Sequence, residues 1–134
     1  MGWIKVLPVQ VDDVARLELA RAGLPSAYLE FLRSTGGGEG DLGVEPGWIQ
    51  FWPAEEAIDL NRMYEIELNL PGFFGFGSNG GGEMFAFDMR REGEPQVVMV
   101  PFIPMDASEA RVVAPSFEEF RQYLGQILKA DDAE

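Results

Sequence analysis

The chain contains no cysteine and no histidine among its 134 residues, and its only lysines are Lys5 and Lys129. Without cysteine there can be no disulfides and no thiol chemistry. Without cysteine and histidine together, the usual zinc sites and the Ser-His-Asp and Cys-His nucleophiles are excluded as well. An enzyme built from this sequence would have to use carboxylates, tyrosine, lysine, arginine or a metal held by oxygen ligands.

Long apolar runs are absent too. No 18 consecutive apolar residues occur, so the sequence predicts no membrane-spanning helix. The apolar stretch after Met1 is too short for a signal peptide, and the acidic pair Asp12-Asp13 soon follows it. Together with the absence of cysteine, these observations favour a cytoplasmic protein.

Positive charge is scarce: 10 Lys and Arg stand against 23 Asp and Glu, for a net charge of −13. Such a chain is repelled by nucleic acid phosphates and by anionic lipid, so we expect neither a nucleic acid nor a membrane partner. The charge would attract a basic protein and speed their encounter. It would also keep the chain soluble without any partner, and charge alone favours this simpler explanation.

The apolar fraction is sufficient for a real core. Hydrophobic residues make up 46% of the chain, with 3 Trp, 3 Tyr and 10 Phe, and the length suits one domain spanning residues 1–134. Four amphipathic helices are predicted. The first spans about residues 12–22, with Asp12 or Asp13 as its N-cap and Gly23 after its end, and the second spans residues 25–35 and is ended by Gly36. The third spans residues 53–64, and the fourth begins at the capping box Ser116-Phe117-Glu118-Glu119. In the last helix, an apolar stripe of Phe117, Phe120, Leu124 and Ile127/Leu128 is expected to face the core.

Strands are predicted between the helices, at Trp48–Trp52, Gly72–Phe76, Glu83–Met89, Gln96–Phe102 and Ala110–Ala114. The glycine-rich stretch 36–47 is interpreted as a loop. Short turns between consecutive strands favour an α+β fold with a mostly antiparallel β-sheet of about four to six strands and with helices packed on one side.

The stretch 72–88 carries the clearest pattern. Apolar residues alternate before and after Ser78-Asn79-Gly80-Gly81-Gly82, which is typical of a β-hairpin with a tight turn. Phe85 and Phe87 are predicted to be core residues on one face. Residues 75–80 also match the dinucleotide pattern G-x-G-x-x-G, but a strand rather than a helix is predicted after them, so the hairpin is favoured over a nucleotide site.

Five segments in this order resemble the SUKH superfamily, which groups a fungal cell-wall-assembly regulator with many bacterial toxin-immunity proteins. They are Leu24-Pro25-Ser26-Ala27-Tyr28-Leu29-Glu30-Phe31-Leu32, Thr35-Gly36-Gly37-Gly38, Trp52-Pro53-Ala54-Glu55-Glu56-Ala57-Ile58 followed by Asn61, the hairpin Phe76 to Asp88, and Ala114-Pro115-Ser116-Phe117-Glu118-Glu119-Phe120. The resemblance covers about residues 24–129 and leaves an acidic tail at 131–134. Thr35 stands where the family has Asn, and Asn79 stands where Asp is common, so the geometry of these two turns is open.

The resemblance implies a SUKH-like fold and a protein-binding module that has no catalytic residues, no cofactor and no bound metal. Many relatives are immunity proteins that hold a secreted toxin, often a nuclease, inactive in the cell that makes it. A basic toxin is therefore the expected partner, and a regulatory or scaffold module with another protein partner is the alternative. The oligomeric state stays open.

Acidic residues near the glycine-rich turns are the candidate partner-binding set: Glu39, Asp41, Glu45, Glu83 and Asp88. We expect these turns to cluster at one edge of the sheet, where the carboxylates would meet a basic partner. Two alternatives are open. Asp88 has a structural interpretation, as an acceptor of backbone N–H bonds at a strand end. The loop acids would also be suitable oxygen ligands for calcium, although their spacing does not match a calcium-binding loop.

Overall fold

The computed structural model describes the backbone of residues 11–132 and the side chains of residues 13–124. Its elements are α1 (Val11–Ala20), α2 (Ser26–Thr35), β1 (Glu39–Asp41), β2 (Trp48–Phe51), α3 (Ala54–Met63), α4 (Ile66–Asn69), β3 (Phe73–Ser78), β4 (Glu83–Asp88), β5 (Gln96–Pro101), a 3₁₀ turn (Ala107–Glu109), β6 (Arg111–Ala114) and α5 (Phe117–Asp132). The six strands form one sheet in chain order, and every neighbouring pair is antiparallel. The predicted α+β class and antiparallel sheet are confirmed.

Local sequence determines where most helices begin and end. Helix α2 follows Pro25 and ends at Gly36, whose left-handed backbone (φ 78°) lets its N–H donate to the Leu32 carbonyl. Thr35, which stands where the family has Asn, closes the turn after this helix. Its hydroxyl donates to the Phe31 carbonyl (2.7 Å) and accepts from the Gly37 N–H (3.0 Å), so the turn closes without asparagine.

Helix α1 differs from its predicted start. It already includes Val11, so Asp12 and Asp13 lie in the helix rather than at an N-cap, where acids still favour the positive end of the helix dipole. Gly23 has the predicted positive φ of 91°, but it belongs to the α1–α2 turn and not to the helix end at Ala20. In α5 the capping prediction is confirmed for Ser116, whose Oγ accepts from the Glu119 N–H at 3.2 Å.

Within the stretch interpreted as a loop, residues 39–41 form the short strand β1, which that prediction missed. β1 pairs with β2 through Gly40↔Ile49 and Asp41↔Trp48. Three residues with two acids and a glycine carry no strand pattern, so only the pairing with β2 makes this segment a strand. The short helix α4 was also missed, because it follows α3 without a break in composition.

An aromatic cluster fills the core. A β-bulge in β3 leaves Phe76 without a partner on β4, since Gly75 pairs with Ala86 and Gly77 with Phe85. The extra residue is fully buried, and its ring stacks on Phe87 with centroids 4.4 Å apart. Aromatic rings of α2 and α5 pack around it: Tyr28 at 5.6 Å, Phe117 at 6.1 Å and Phe120 at 5.9 Å.

We call the sheet face that carries Phe51, Phe85 and Phe87 the inner face, and the other the outer face. The predicted burial of Phe85 and Phe87 is confirmed, and helices α2 and α5 cover this side. Strand β5 is buried from Val97 to Val100, and its continuous apolar run is typical of a strand that is covered on both faces. Several predictions lie outside the described residues: the N-terminal segment with Lys5, the side chains of Ile127, Leu128 and Lys129, and tail residues 133 and 134.

Candidate protein-binding surface

Four of the five predicted acids lie at one end of the sheet. Glu39 pairs with Gln50 and Asp41 with Trp48, and Glu83 is the first residue of β4. Glu45 belongs to the loop that joins β1 to β2 at this end. Asp88 is the last residue of β4, so it lies at the opposite end of the sheet, roughly 17 Å from Glu83 at strand spacing.

Strand alternation places Glu83 on a different face of the sheet from Glu39 and Asp41. Phe51 pairs with Gly77 and Gly77 with Phe85, which defines the inner face. Glu83 shares that face with Phe85, because the two residues are two positions apart. Glu39 and Asp41 pair with Gln50 and Trp48 and therefore belong to the outer face.

Glu83 and Asp88 already have cationic partners. The Arg111 Nη2 donates to Glu83 Oε2 at 2.6 Å across the sheet. Asp88 accepts two hydrogen bonds of 2.9 Å from the Arg90 guanidinium and one of 3.1 Å from its backbone N–H. The Arg90 side-chain hydrogen bond holds the pKa of Asp88 below its ordinary value. The structural interpretation of Asp88 as a turn acceptor is thus confirmed.

Glu39 and Glu45 form no ion pair with any residue between 13 and 124, and Glu45 is exposed. Their charges are thus available to attract a cation from outside. Trp48 lies beside them and is half-buried, with its ring next to Gly80 of the β3–β4 turn. This end of the outer face therefore combines uncompensated carboxylates with a partly exposed indole.

A row of aromatic rings continues along the outer face. Trp52 is buried and stacks on Tyr64 with centroids 5.9 Å apart, and Tyr64 contacts Phe102 at 4.8 Å. Phe102 is tied to the β3–β4 turn, because its N–H donates to the Gly82 carbonyl. Strand alternation places Trp48 and Trp52, which are four positions apart in the sequence, on the same face. The sequence carried no indication that Tyr64 and Phe102 would join them, because those residues come from separate loops.

Beyond Phe102 the outer face opens into a groove of about 400 Å³. Its walls are mostly apolar, and the described residues that line it include none with a charge: Met63, Tyr64, Asn69, Phe102, Ile103, Pro104 and Met105. Ile103 is 91% exposed and Met63 is 64% exposed. Apolar side chains left this open around a concavity are typical of a surface that a partner covers.

A second groove, of about 370 Å³, lies between the end of α1, helices α3 and α4, and β3. Arg21 and Arg62 line it together with Glu65 and Glu67, so both signs of charge are present. The exposed Leu68 and the buried Phe74 complete its walls. This mixture indicates no particular class of ligand.

The glycines of the dinucleotide-like pattern have a packing role instead. A Cβ on Gly75 would lie 2.7 Å from Met84 Sδ and 2.9 Å from Ile66 Cδ1, and a Cβ on Gly77 would lie 2.7 Å from the Gln50 carbonyl. Residues 79–82 lead directly into β4, so no helix N-terminus is present to receive a pyrophosphate. The preference for a hairpin over a nucleotide site is confirmed.

Between residues 11 and 132, no helix is both long and apolar enough to span a bilayer. Among the side chains that the structure describes, no three acids come close enough together to hold a metal ion.

No curated protein matches the chain. The family model described as SMI1 / KNR4 family (SUKH-1) matches residues 8–122, which is most of the sequence and includes every strand and the first turns of α5. The chain therefore belongs to the SMI1 / KNR4 family (SUKH-1).

Proposed function

We propose that this protein is an immunity protein that binds a basic bacterial toxin, with nucleases as one fitting class, and keeps it inactive. Family membership supports protein binding in general, because SUKH-1 domains are in general protein-interaction modules without catalysis. The net charge of −13 supports the second part, the basic partner.

The acidic end of the outer face is the proposed contact for the toxin's positive charges. Glu39, Asp41 and Glu45 come from one strand and the loop that follows it, so a single basic surface would meet all three. A nuclease must itself present positive charge to bind phosphates, and carboxylates arranged on a rigid sheet would compete for that charge. Inhibition would then follow from occupation of the toxin's substrate site, with no chemical step.

The other two candidate acids have smaller expected roles. Glu83 shares its charge with Arg111 on the inner face, and Asp88 is bound to Arg90 at the far end of the sheet. An interface of ordinary size around Glu39 would include Glu83 at its border but would not extend to Asp88. No catalytic residue, cofactor or metal forms part of the proposal.

The first experiment is protection. The gene is expressed in a host that also produces a candidate basic toxin chosen from the neighbouring genes, and growth and complex formation with the purified proteins are measured. We expect survival and a stable complex. If the host dies and the purified protein captures no basic polypeptide, the immunity proposal is wrong. Capture of a non-toxin partner without protection would instead indicate a regulatory or scaffold module.

The second experiment tests the surface. The variant Glu39→Lys/Asp41→Lys/Glu45→Lys should lower the association rate about tenfold or more at low salt, and should weaken its salt dependence. The control variant Glu30→Lys/Glu92→Lys/Glu94→Lys makes the same change in net charge at exposed positions elsewhere. Equal rates for the two variants would show that only total charge matters and would remove this surface from the interface.

A further inference from the structure

We propose that the outer-face groove receives an apolar side chain of the partner while Glu39 and Glu45 bind positive charges next to it, so that the partner segment is a cationic peptide with one large apolar residue. This inference deepens the proposed protein-binding function and rests on it. It does not require that the partner be a toxin.

The groove and the acids are parts of one continuous surface. Trp48 pairs with Asp41 on β1 and lies against Gly80 of the β3–β4 turn. Gly82 of the same turn accepts the hydrogen bond of Phe102, which is a wall of the groove. From β1 to β5 there are four strand spacings, or roughly 19 Å. An interface of about 800 Å² per partner is wider than this and would cover both features.

The composition of the groove suits a binding centre rather than a piece of ordinary surface. Tyr64 is held in place by Trp52 on one side and Phe102 on the other, so a partner would contact an aromatic ring that is already ordered. Met63 and Met105 are flexible and polarizable, and such side chains adapt to apolar groups of different shape. Because none of the described residues that line the groove is charged, an apolar side chain would enter it without displacing hydration from their side chains.

Charge decides among the possible occupants. A second copy of this chain would bring its own −13 against the same surface, and an anionic lipid surface would be repelled in the same way. A basic segment is attracted by Glu39 and Glu45, whose carboxylates have no ion pair between residues 13 and 124. The groove offers an apolar contact, and the acids offer negative charge. A cationic peptide with one apolar side chain would bind to both.

The test uses the full chain and two synthetic peptides. One peptide is rich in lysine with a central leucine, and the other has alanine in place of that leucine. Backbone amide shifts report where each peptide binds, and the titration gives its affinity. We expect the leucine peptide to shift the amides of residues 63, 64, 102, 103 and 105 and to bind about tenfold more tightly than the alanine peptide. Equal affinity of the two peptides, or no shift at millimolar concentration, would overturn the proposal.

The matched variants are Ile103→Ser and Leu19→Ser. Both remove an exposed apolar side chain, with 91% and 86% exposure, but only Ile103 lies in the groove. Ile103→Ser should lower the affinity for the leucine peptide about tenfold, and Leu19→Ser should leave it within about twofold. Because both side chains are exposed, each variant should unfold at the wild-type temperature, and this is checked by circular dichroism. Equal weakening by both variants would contradict the groove as the site.

Two further results separate this proposal from the others. Sedimentation of the wild-type chain that shows a dimer, lost on Ile103→Ser, would identify a second copy as the occupant and overturn the proposal. If Ile103→Ser still protects a toxin-producing host fully, the groove is not the toxin contact, although the immunity function stands. If no host is protected but the leucine peptide binds in the groove, immunity fails and the groove remains a docking site for basic segments.

Discussion

Asn61 hydrogen-bonds both backbone polar groups of Gly75, a residue 14 positions further along the chain. Its Nδ2 donates to the Gly75 carbonyl at 2.9 Å, and its Oδ1 accepts the Gly75 N–H at 2.8 Å. The same Nδ2 also donates to the Ala57 carbonyl at 2.8 Å. Strand β2 ends before this point, and Pro53, which follows Trp52, has no N–H to offer β3. The amide of Asn61 therefore stands in for the missing strand partner at Gly75.

We predict that Asn61→Ala lowers the free energy of unfolding by about 2–4 kcal/mol, because it leaves the Gly75 N–H and carbonyl without partners in a partly buried position. Urea unfolding followed by tryptophan fluorescence measures the change. The control is Asn69→Ala, which removes a single exposed hydrogen bond to the Glu65 carbonyl and should cost less than about 1 kcal/mol. Equal losses for the two variants would contradict the bridging role of Asn61.

Tyr28 presents the opposite case, a buried hydroxyl without a partner among the described residues. The residue is fully buried, and its oxygen has no hydrogen bond to any group that the structure describes. We predict that Tyr28→Phe raises the free energy of unfolding by about 1 kcal/mol, since the ring contacts with Phe76 and Phe87 remain and an unsatisfied polar group is removed. A loss of stability in this variant would show that the hydroxyl has a partner, such as an internal water.

Alkaline titration tests the same residue in a second way. Burial raises the pKa of the Tyr28 phenol, so the folded chain keeps this proton at a pH where the unfolded chain releases it. Stability from this group is complete below the ordinary pKa of about 10 and is lost as the pH rises above that value. The wild type should therefore lose stability more steeply above about pH 10 than Tyr28→Phe does. Parallel curves for the two proteins would contradict the prediction.

The Asp88–Arg90 pair predicts a change at acid pH. The Arg90 hydrogen bond lowers the pKa of Asp88, so the stabilisation is complete above the ordinary pKa of about 4 and is lost as the pH falls through the lowered value. Asp88→Asn should cost about 1 kcal/mol near neutral pH, and the difference from wild type should shrink below about pH 4. Part of this loss would come from Arg90, whose guanidinium lies 4.7 Å from the centre of the Phe73 ring.

The control for this pair is Asp59→Asn. Its ion pair with Arg62 is 4.0 Å long, and both side chains are about four-fifths exposed (82% and 78%), so its loss should change stability by less than about 0.5 kcal/mol at any pH. Urea midpoints across the acid range measure both variants. A difference between Asp88→Asn and wild type that stays constant with pH would show that Asp88 is not held as a carboxylate by Arg90.

Asn79 closes the β3–β4 turn through one oxygen. Its Oδ1 accepts the N–H groups of Gly81 (2.9 Å) and Glu83 (3.2 Å). We predict that Asn79→Ala costs about 1–2 kcal/mol, whereas Asn79→Asp retains most of the stability because a carboxylate oxygen accepts the same two bonds. Thermal unfolding of the two variants checks this. Equal losses would mean that the side-chain amide, rather than the accepting oxygen, is what the turn needs.

Much of the fold could be predicted because neighbouring residues encode it. The alternation around Phe85, the glycines of the hairpin turn and the capping serine Ser116 each act over a few residues, and their elements lie where the pattern placed them. Strand β1 could not be predicted in this way, since only its pairing with β2 makes it a strand. The bulge at Phe76 was also missed, because the spacing of the phenylalanines looks regular in the sequence. Only the pairing of β3 with β4 shows that Phe76 is an extra residue.

The candidate site was less predictable than the fold. Acids near turns were visible in the sequence, but a single sequence does not reveal strand register, and register is what places Glu39 on the outer face and Glu83 on the inner face. Asp88 lies at the other end of its strand because β4 is long enough to separate the two turns. The groove brings together Met63 and Tyr64 at the end of α3 with Ile103 from a loop far along the chain, so no local pattern marks it.

The position of β1 at the end of the strand order has one more effect. A terminal strand is a template on which another chain can add, and short, like-charged strands are poor templates. Two carboxylates in a three-residue strand would force a second copy to bring its own acids to the same edge. The acids proposed to recruit a partner would therefore also discourage edge-to-edge aggregation.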